Sequence, residues 1–326
     1  MKKLNKVIAM LMCISMLFSI CSIVGYAFEN EEEFSIEDYT WDDIMTMSNS
    51  DFRELLTNFE RVYDPFGTYE TNPITAIYDE NSNSSSVQPR WSSGNSSHTE
   101  SGSHELITAR ACGILLDDKG FWGANESGSI LIALMISLAS IIPDTDWRLG
   151  VLNGFAGHFY DPDTEKNWLG SDSNTAKTNA SDNYDSACVE YNLNGMSELC
   201  IESIGKMLHY VQDACEPHHA SNVTALEPEG LHTEFENYVD EKINTYIDSF
   251  TTINAEIYSN KAVMSVGELV REAAWLAKDD VLYIMDHNAD DSDWDVVATR
   301  TTRNAVLYSA VVLYKFSLEL NIPLTK

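Results

Sequence analysis

Apolar residues recur at helical spacing through most of the chain. Between His104 and Leu116 they fall at Leu106, Ile107, Ala111, Ile114 and Leu115, the three-and-four rhythm of one helix face. Ser129–Ile142 is apolar nearly throughout. It is short for a membrane span and predicts a central core helix. Asp182–Tyr191 and Met196–Ala214 predict two helices, separated by the stop signal Asn192-Leu193-Asn194-Gly195. Thr233–Ile247, Val266–Ile284 and Asp295–Leu320 continue the pattern, and Asp51–Val62 predicts a shorter amphipathic helix with Ser50 as its N-cap. No segment of useful length alternates as a strand would, and no internal repeat is visible. The fold class is therefore all-α, with several helices around one core.

The N-terminal third follows other rules. Met1–Ala27 carries Lys2, Lys3 and Lys6, an apolar run from Val7 to Val24, then Gly25-Tyr26-Ala27. That order predicts a secretory signal peptide over 1–27, hence an extracellular protein. The small Ala27 and the acidic stretch after it favour cleavage over anchoring. Cys21 lacks the small residues that precede a lipid-modified cysteine. Residues 28–90 are acidic at Glu29–Glu33 and rich in Ser and Asn over Asn81–Pro89, ending at Arg90. They read either as a pro-segment removed at Arg90 or as an ordinary extension. Residues 91–326 remain for one domain with ample core. A net charge of −31 argues against a nucleic-acid-binding surface and against docking on anionic lipid. Outside the leader, Cys112, Cys188, Cys200 and Cys215 are too few for a disulfide scaffold, and sequence does not choose among their three pairings.

The chemistry concentrates at Leu208–Asn222. His209 and Asp213 stand one helical turn apart on one face. Pro217 is expected to end that helix, and the chain then presents His219. His232 and Glu236 repeat the spacing on the next helix. One His–carboxylate pair is commonly just a surface contact, but two such pairs joined by Pro-His-His point to a borderline metal such as zinc.

The stretch HYVQDACEPHHASN, with PEGLHTEFENYVD at Pro228–Asp240, GHFYDPDT at Gly157–Thr164, and Trp91 and His104 upstream, resembles the zinc-dependent phospholipases C of Gram-positive bacteria. The resemblance implies a single multi-helix domain of a type shared with the S1/P1 nucleases, and a centre of three zinc ions. It implies that Trp91 binds the first through its free amine and carbonyl, with His104. It assigns Asp144 as ligand and catalytic acid–base group, with Asp146 as a rival. His158, His209 and Asp213 match a second site, Asp213 bridging the first two metals, and His219, His232 and Glu236 match the third. Close dications sharing a carboxylate lower the pKa of a water held between them, which suits attack on a phosphodiester. The implied reaction is hydrolysis of phospholipid, at a membrane or micelle surface, to diacylglycerol and a phosphorylated head group. The implied protein is a secreted monomer, a zymogen activated by a protease acting at Arg90.

Other residues receive plainer expectations. Cys215 reads as a small buried residue rather than a ligand. His98, His218 and His287 match no ligand position, and His218 is expected exposed or just behind the ligands. Asp161 and Asp163 are expected to orient His158 or cap a helix, and Tyr210 and Phe235 to be core aromatics. Members that prefer choline hold it with a carboxylate and aromatic faces. Here Gly94 and Thr145 stand at two of those positions, Phe155 is retained for substrate, and Trp147, Tyr160 or Glu100 are the available substitutes. The sequence ends near its last helix, so the β-sandwich lipid-binding domain of larger toxic members is not expected. Two other readings stay open: a single-strand nuclease of the same fold, and a secreted zinc-binding protein without catalysis.

Overall fold

A computed structural model describes residues 34–63, 102–120, 122, 125–145, 151–224, 230–248, 250–286 and 291–324. The signal peptide, Asn81–Arg90, Trp91, Gly94, His98, Glu100, Asp146, Trp147 and His287 lie outside them. Among the described residues the chain is helical, and its only extended pairing is one bridge between Asp161 and Lys166.

A 3-10 turn, Ile36–Asp38, precedes α1 (Trp41–Thr46) and α2 (Asn49–Tyr63). Next come α3 (Ser103–Lys119), α4 (Glu126–Ala139), and the short α5 (Ile142–Thr145) and α6 (Val151–Ala156). The long pair α7 (Ala176–Asn194) and α8 (Glu198–Asp213) follows, then a 3-10 turn at His219–Ser221 and α9 (Leu231–Ile247). The chain closes with α10 (Ala255–Lys261), α11 (Val266–Lys278), α12 (Val281–Ile284) and α13 (Asp291–Glu319). The described residues from Ile36 onward form one unit.

Local chemistry sets the boundaries that matter for the site. Gly195 takes φ 71° and donates its N–H to Tyr191, ending α7 where the sequence predicts a stop. Ser197 then caps α8 by accepting from the Cys200 N–H. The two helices lie side by side, and α8 also packs on α4. At that crossing Gly205 has no room for a side chain: a Cβ would stand 2.3 Å from the Ala139 Cβ and 2.6 Å from its carbonyl carbon. The close approach brings the end of α4 against the C-terminal turns of α8, where His209 and Asp213 sit. Helix α13 runs beside α3, α8 and α9 and closes the core from behind with Val306, Val311, Val312 and Phe316. The apolar run in α4 is a core helix as expected, with Ile130, Ala133, Leu134 and Ile136 buried.

Several expectations need correction. The cap of α2 is Ser48, not Ser50: the Asp51 N–H donates to Ser48 Oγ at 3.2 Å, and the helix starts one residue later at Asn49. Helix α8 stops at Asp213, three residues short of the position that Pro217 restricts. Val266–Ile284 is two helices. Asp279 and Asp280 stand at the C-terminus of α11, where the helix dipole disfavours negative charge, and Asp280 turns aside to pair with Arg300 on α13 at 2.5 Å. Cys112, Cys188, Cys200 and Cys215, whose pairing the sequence left open, are all free thiols.

Candidate metal centre

Six segments deliver the site. His104 stands in the first turn of α3 and Asp144 in α5, while His158 follows α6. His209 and Asp213 end α8, His219 opens the 3-10 turn, and His232 and Glu236 share a face of α9. The backbone ties these segments together. The Tyr160 N–H donates to the His219 carbonyl at 3.1 Å, and Asn179 Nδ2 donates to the Gly157 carbonyl at 3.1 Å. The loop bearing His158 is thereby pinned between the His219 turn and α7.

Asp213 lies at the middle. Its Oδ2 is 2.9 Å from His158 Nδ1 and 3.1 Å from His209 Nε2. Its Oδ1 is 3.2 Å from His219 Nδ1 and 3.6 Å from His104 Nε2. Asp144 Oδ1 stands 3.6 Å from His209 Nε2 and 3.8 Å from His158 Nδ1. On the far side Glu236 Oε1 is 3.0 Å from His232 Nε2 and 3.4 Å from His219 Nε2. All these side chains are buried, Asp144 being 6% exposed. Among the described residues four groups emerge whose ligand atoms lie within 4.8 Å of one another: His104, His209 and Asp213; Asp144, His158 and His209; His219, His232 and Glu236; and, behind the last, Glu216, His218 and His232.

Neighbouring groups fix which ring nitrogen faces inward. Gln212 Nε2 donates to Thr108 Oγ1 at 2.9 Å and to Ser309 Oγ at 3.3 Å, which turns its Oε1 toward His104 Nδ1 at 2.7 Å. An amide oxygen only accepts, so Nδ1 carries the proton and the Nε2 lone pair points at Asp213. The same logic holds for His209, whose Nδ1 donates to the Ser140 carbonyl at 2.7 Å. Imidazoles held by the far nitrogen with the near nitrogen turned into a carboxylate-lined cluster are arranged as metal ligands are. Asp144 Oδ2 and both ring nitrogens of His219 are buried without a well-aligned hydrogen bond. Buried polar atoms left so are costly unless a cation completes them, and the donor set of imidazole and carboxylate fits a borderline divalent metal.

The electrostatics of the metal-free chain show how tightly these groups are coupled. Burial pushes His104 down to about 3, with His209 adding to the effect. Burial also raises Asp144 well above the usual carboxylate range. For Asp213 burial opposes ionisation, but His209 and His158 overcome it and hold the carboxyl well below that range. His219 is the converse: burial opposes its charge, yet Asp213 and Glu236 hold it well above the usual imidazole value.

The remaining expectations divide. Of the two places expected for His218, it takes the one just behind the ligands: it is fully buried, its Nδ1 is 2.7 Å from Glu216 Oε1, and its ring stacks 4.6 Å from that of His232. Glu216 also accepts the His219 N–H at 2.7 Å, so one carboxylate braces the turn from within. Asp161 and Asp163 do not reach His158; both pair with Lys278 of α11, at 2.5 and 2.7 Å. Tyr210, Phe235 and Cys215 are buried as expected. Phe155 packs beside Phe159 and Trp168, with ring centres 5.2 and 6.0 Å away. Sequence reasoning passed over Gln212, Glu216 and Ser140. Gln212 lies within the metal motif, but nothing in the sequence says that it meets His104.

An all-α fold with a buried multi-carboxylate, multi-imidazole centre defines a class of metal-binding helical proteins. No family profile matches the chain. A phospholipase C of Bacillus cereus is 27% identical over 242 residues, covering 69% of this chain and 78% of the relative. A phospholipase C of Clostridium haemolyticum is 29% identical over 235 residues, covering 66% of this chain and 58% of that protein. Among solved structures, the alpha toxin from Clostridium absonum superposes with a TM-score of 0.58 at 23% identity, covering 67% of this chain and 63% of the toxin. The chain thus spans under two thirds of the clostridial proteins it matches. The chain is similar in sequence to these bacterial phospholipases C and has the all-α fold of the toxin's matching part.

Proposed function

We propose that this chain is a secreted, zinc-dependent phospholipase C that releases diacylglycerol and a phosphorylated head group. The observation that carries the reading is Asp213, each of whose oxygens faces two imidazoles from separate segments. His104, His209 and Asp213, with Trp91, would hold one cation. Asp144 and His158, with His209 and Asp213, would hold a second, and His219, His232 and Glu236 a third. Bound zinc supplies Lewis acidity, screening phosphate charge and bringing the ionisation of water toward neutrality.

The chain's own residues do the rest. Gln212 and the Ser140 carbonyl keep His104 and His209 in the ligating tautomer. Asp144, beside His158 and His209, would serve as ligand or as general base near the reacting phosphorus. Phe155 lines the approach for lipid. Trp91 ligates through its amine only once the bond to Arg90 is cut, because a peptide nitrogen has a delocalised lone pair. The full-length chain is therefore a zymogen, and cleavage after Arg90 by a processing protease completes the centre. Choline is not strongly preferred, given Gly94 and Thr145.

A panel assay tests this. The processed chain should release phosphorylated head groups from phosphatidylcholine and phosphatidylethanolamine vesicles at rates within about tenfold of each other, roughly the span of one binding contact. Cleavage of single-stranded DNA with no lipid turnover would instead establish the nuclease reading. Bound metal with no turnover of either would leave a zinc-binding protein.

A further inference from the structure

The helices upstream of the proposed cleavage are built into the core. Trp41, Ile44, Phe52, Leu55, Leu56 and Phe59 are each at most 6% exposed. Their elements pack on α3 and α4. The Trp41 N–H donates to Glu126 Oε1 at 2.9 Å, at the first turn of α4. The Met45 thioether covers Gly113 on α3 so closely that a Cβ there would stand 2.1 Å from the sulfur. Arg53 Nη1 lies 3.4 Å from Glu105 Oε1, and the two side chains are 5% and 0% exposed. Glu105 adjoins His104 in the first turn of α3.

We propose that residues 36–63 stay bound after the chain is cut at Arg90, so that the mature protein is a two-chain assembly clamped at the turn carrying His104. The idea rests on the cleavage reading above. Helix α3 is buried on every side from Ser103 to Leu115. A helix covered all round belongs to a core, and α1 and α2 supply part of that cover. Departure of the segment would expose six large apolar side chains together with the faces of α3 and α4 beneath them. It would also leave the buried Glu105 carboxylate without its Arg53 partner. Breaking a buried pair strands the other charge and is strongly disfavoured. The Ser/Asn-rich stretch at Asn81–Pro89 offers a cut that spares these contacts.

The test uses the full secreted chain, nicked by limited trypsin at Arg90 and passed over a sizing column in native buffer. The two fragments should co-elute, separate only in denaturant, and be weighed as one complex by native mass spectrometry. In the nicked Arg53→Ala chain the small fragment should dissociate on the order of 10²-fold faster. Elution of the small fragment alone, with the Trp91–Lys326 part keeping its helical circular dichroism and its metal, would overturn the proposal. Activity and metal content are read on the same samples. Unchanged values after nicking would sink the zymogen reading while leaving the retention result to stand by itself.

Discussion

Each oxygen of Asp213 faces two imidazoles, so the residue joins the groups on either side of it. An amide presents one good oxygen and no charge. Asp213→Asn is therefore expected to lose metal as well as turnover; a purified variant with full metal content and near-normal rate would remove Asp213 from the centre. A pH prediction follows from His219. Its folded value is raised, although burial opposes this, because Asp213 and Glu236 face it. The stability its charge confers on the metal-free chain is fully present below the unfolded value of about 6.5, and is lost as pH rises through the raised folded value. A metal must displace that proton, so binding strengthens with pH. The rise in Tm on adding zinc should be larger at about pH 8 than at about pH 6, and the reverse order would contradict His219 as a ligand. At this scale the sequence was informative where spacing carries meaning, as for His209 with Asp213 and His232 with Glu236. It was silent on Gln212 and Ser140. A backbone carbonyl has no signature, and a glutamine acquires its role from Thr108 and Ser309 on other helices.

The elements were legible for a related reason. Caps and stops act over a few residues, so Gly195 and the apolar rhythm of α3, α4 and α8 could be read directly. What failed was tertiary in origin: the break after Lys278 falls where Asp280 pairs with Arg300, which lies on a different helix. The crossing of α4 and α8 is equally invisible in sequence, yet it sets the distance from Ser140 to His209. Gly205→Ala would push a methyl into Ala139 and to within 2.9 Å of the Ile136 carbonyl oxygen. Backbone cannot yield as a flexible side chain can, so the expected loss is about 1–3 kcal/mol in a denaturant titration, with weaker metal retention from the displaced His209. A variant as stable as the parent would mean that the two helices can separate without cost.

For the whole molecule, the joining of distant segments is the substance of the account. His104, Asp144, His158, His209, Asp213, His219, His232 and Glu236 come from six segments, and local spacing links only His209 with Asp213 and His232 with Glu236, yet all of them meet in one cluster. The N-terminal helices, read from sequence as part of either a removable pro-segment or an ordinary extension, share the core that supports His104. The central claim is that this cluster holds metal and that phospholipid hydrolysis depends on it. The most direct measurement is head-group release from phospholipid vesicles by the processed chain, with bound metal counted on the same sample, before chelation, after chelation, and after zinc is restored. Activity and metal content should fall together and return together. Undiminished phospholipid turnover in a sample stripped of metal would contradict the account.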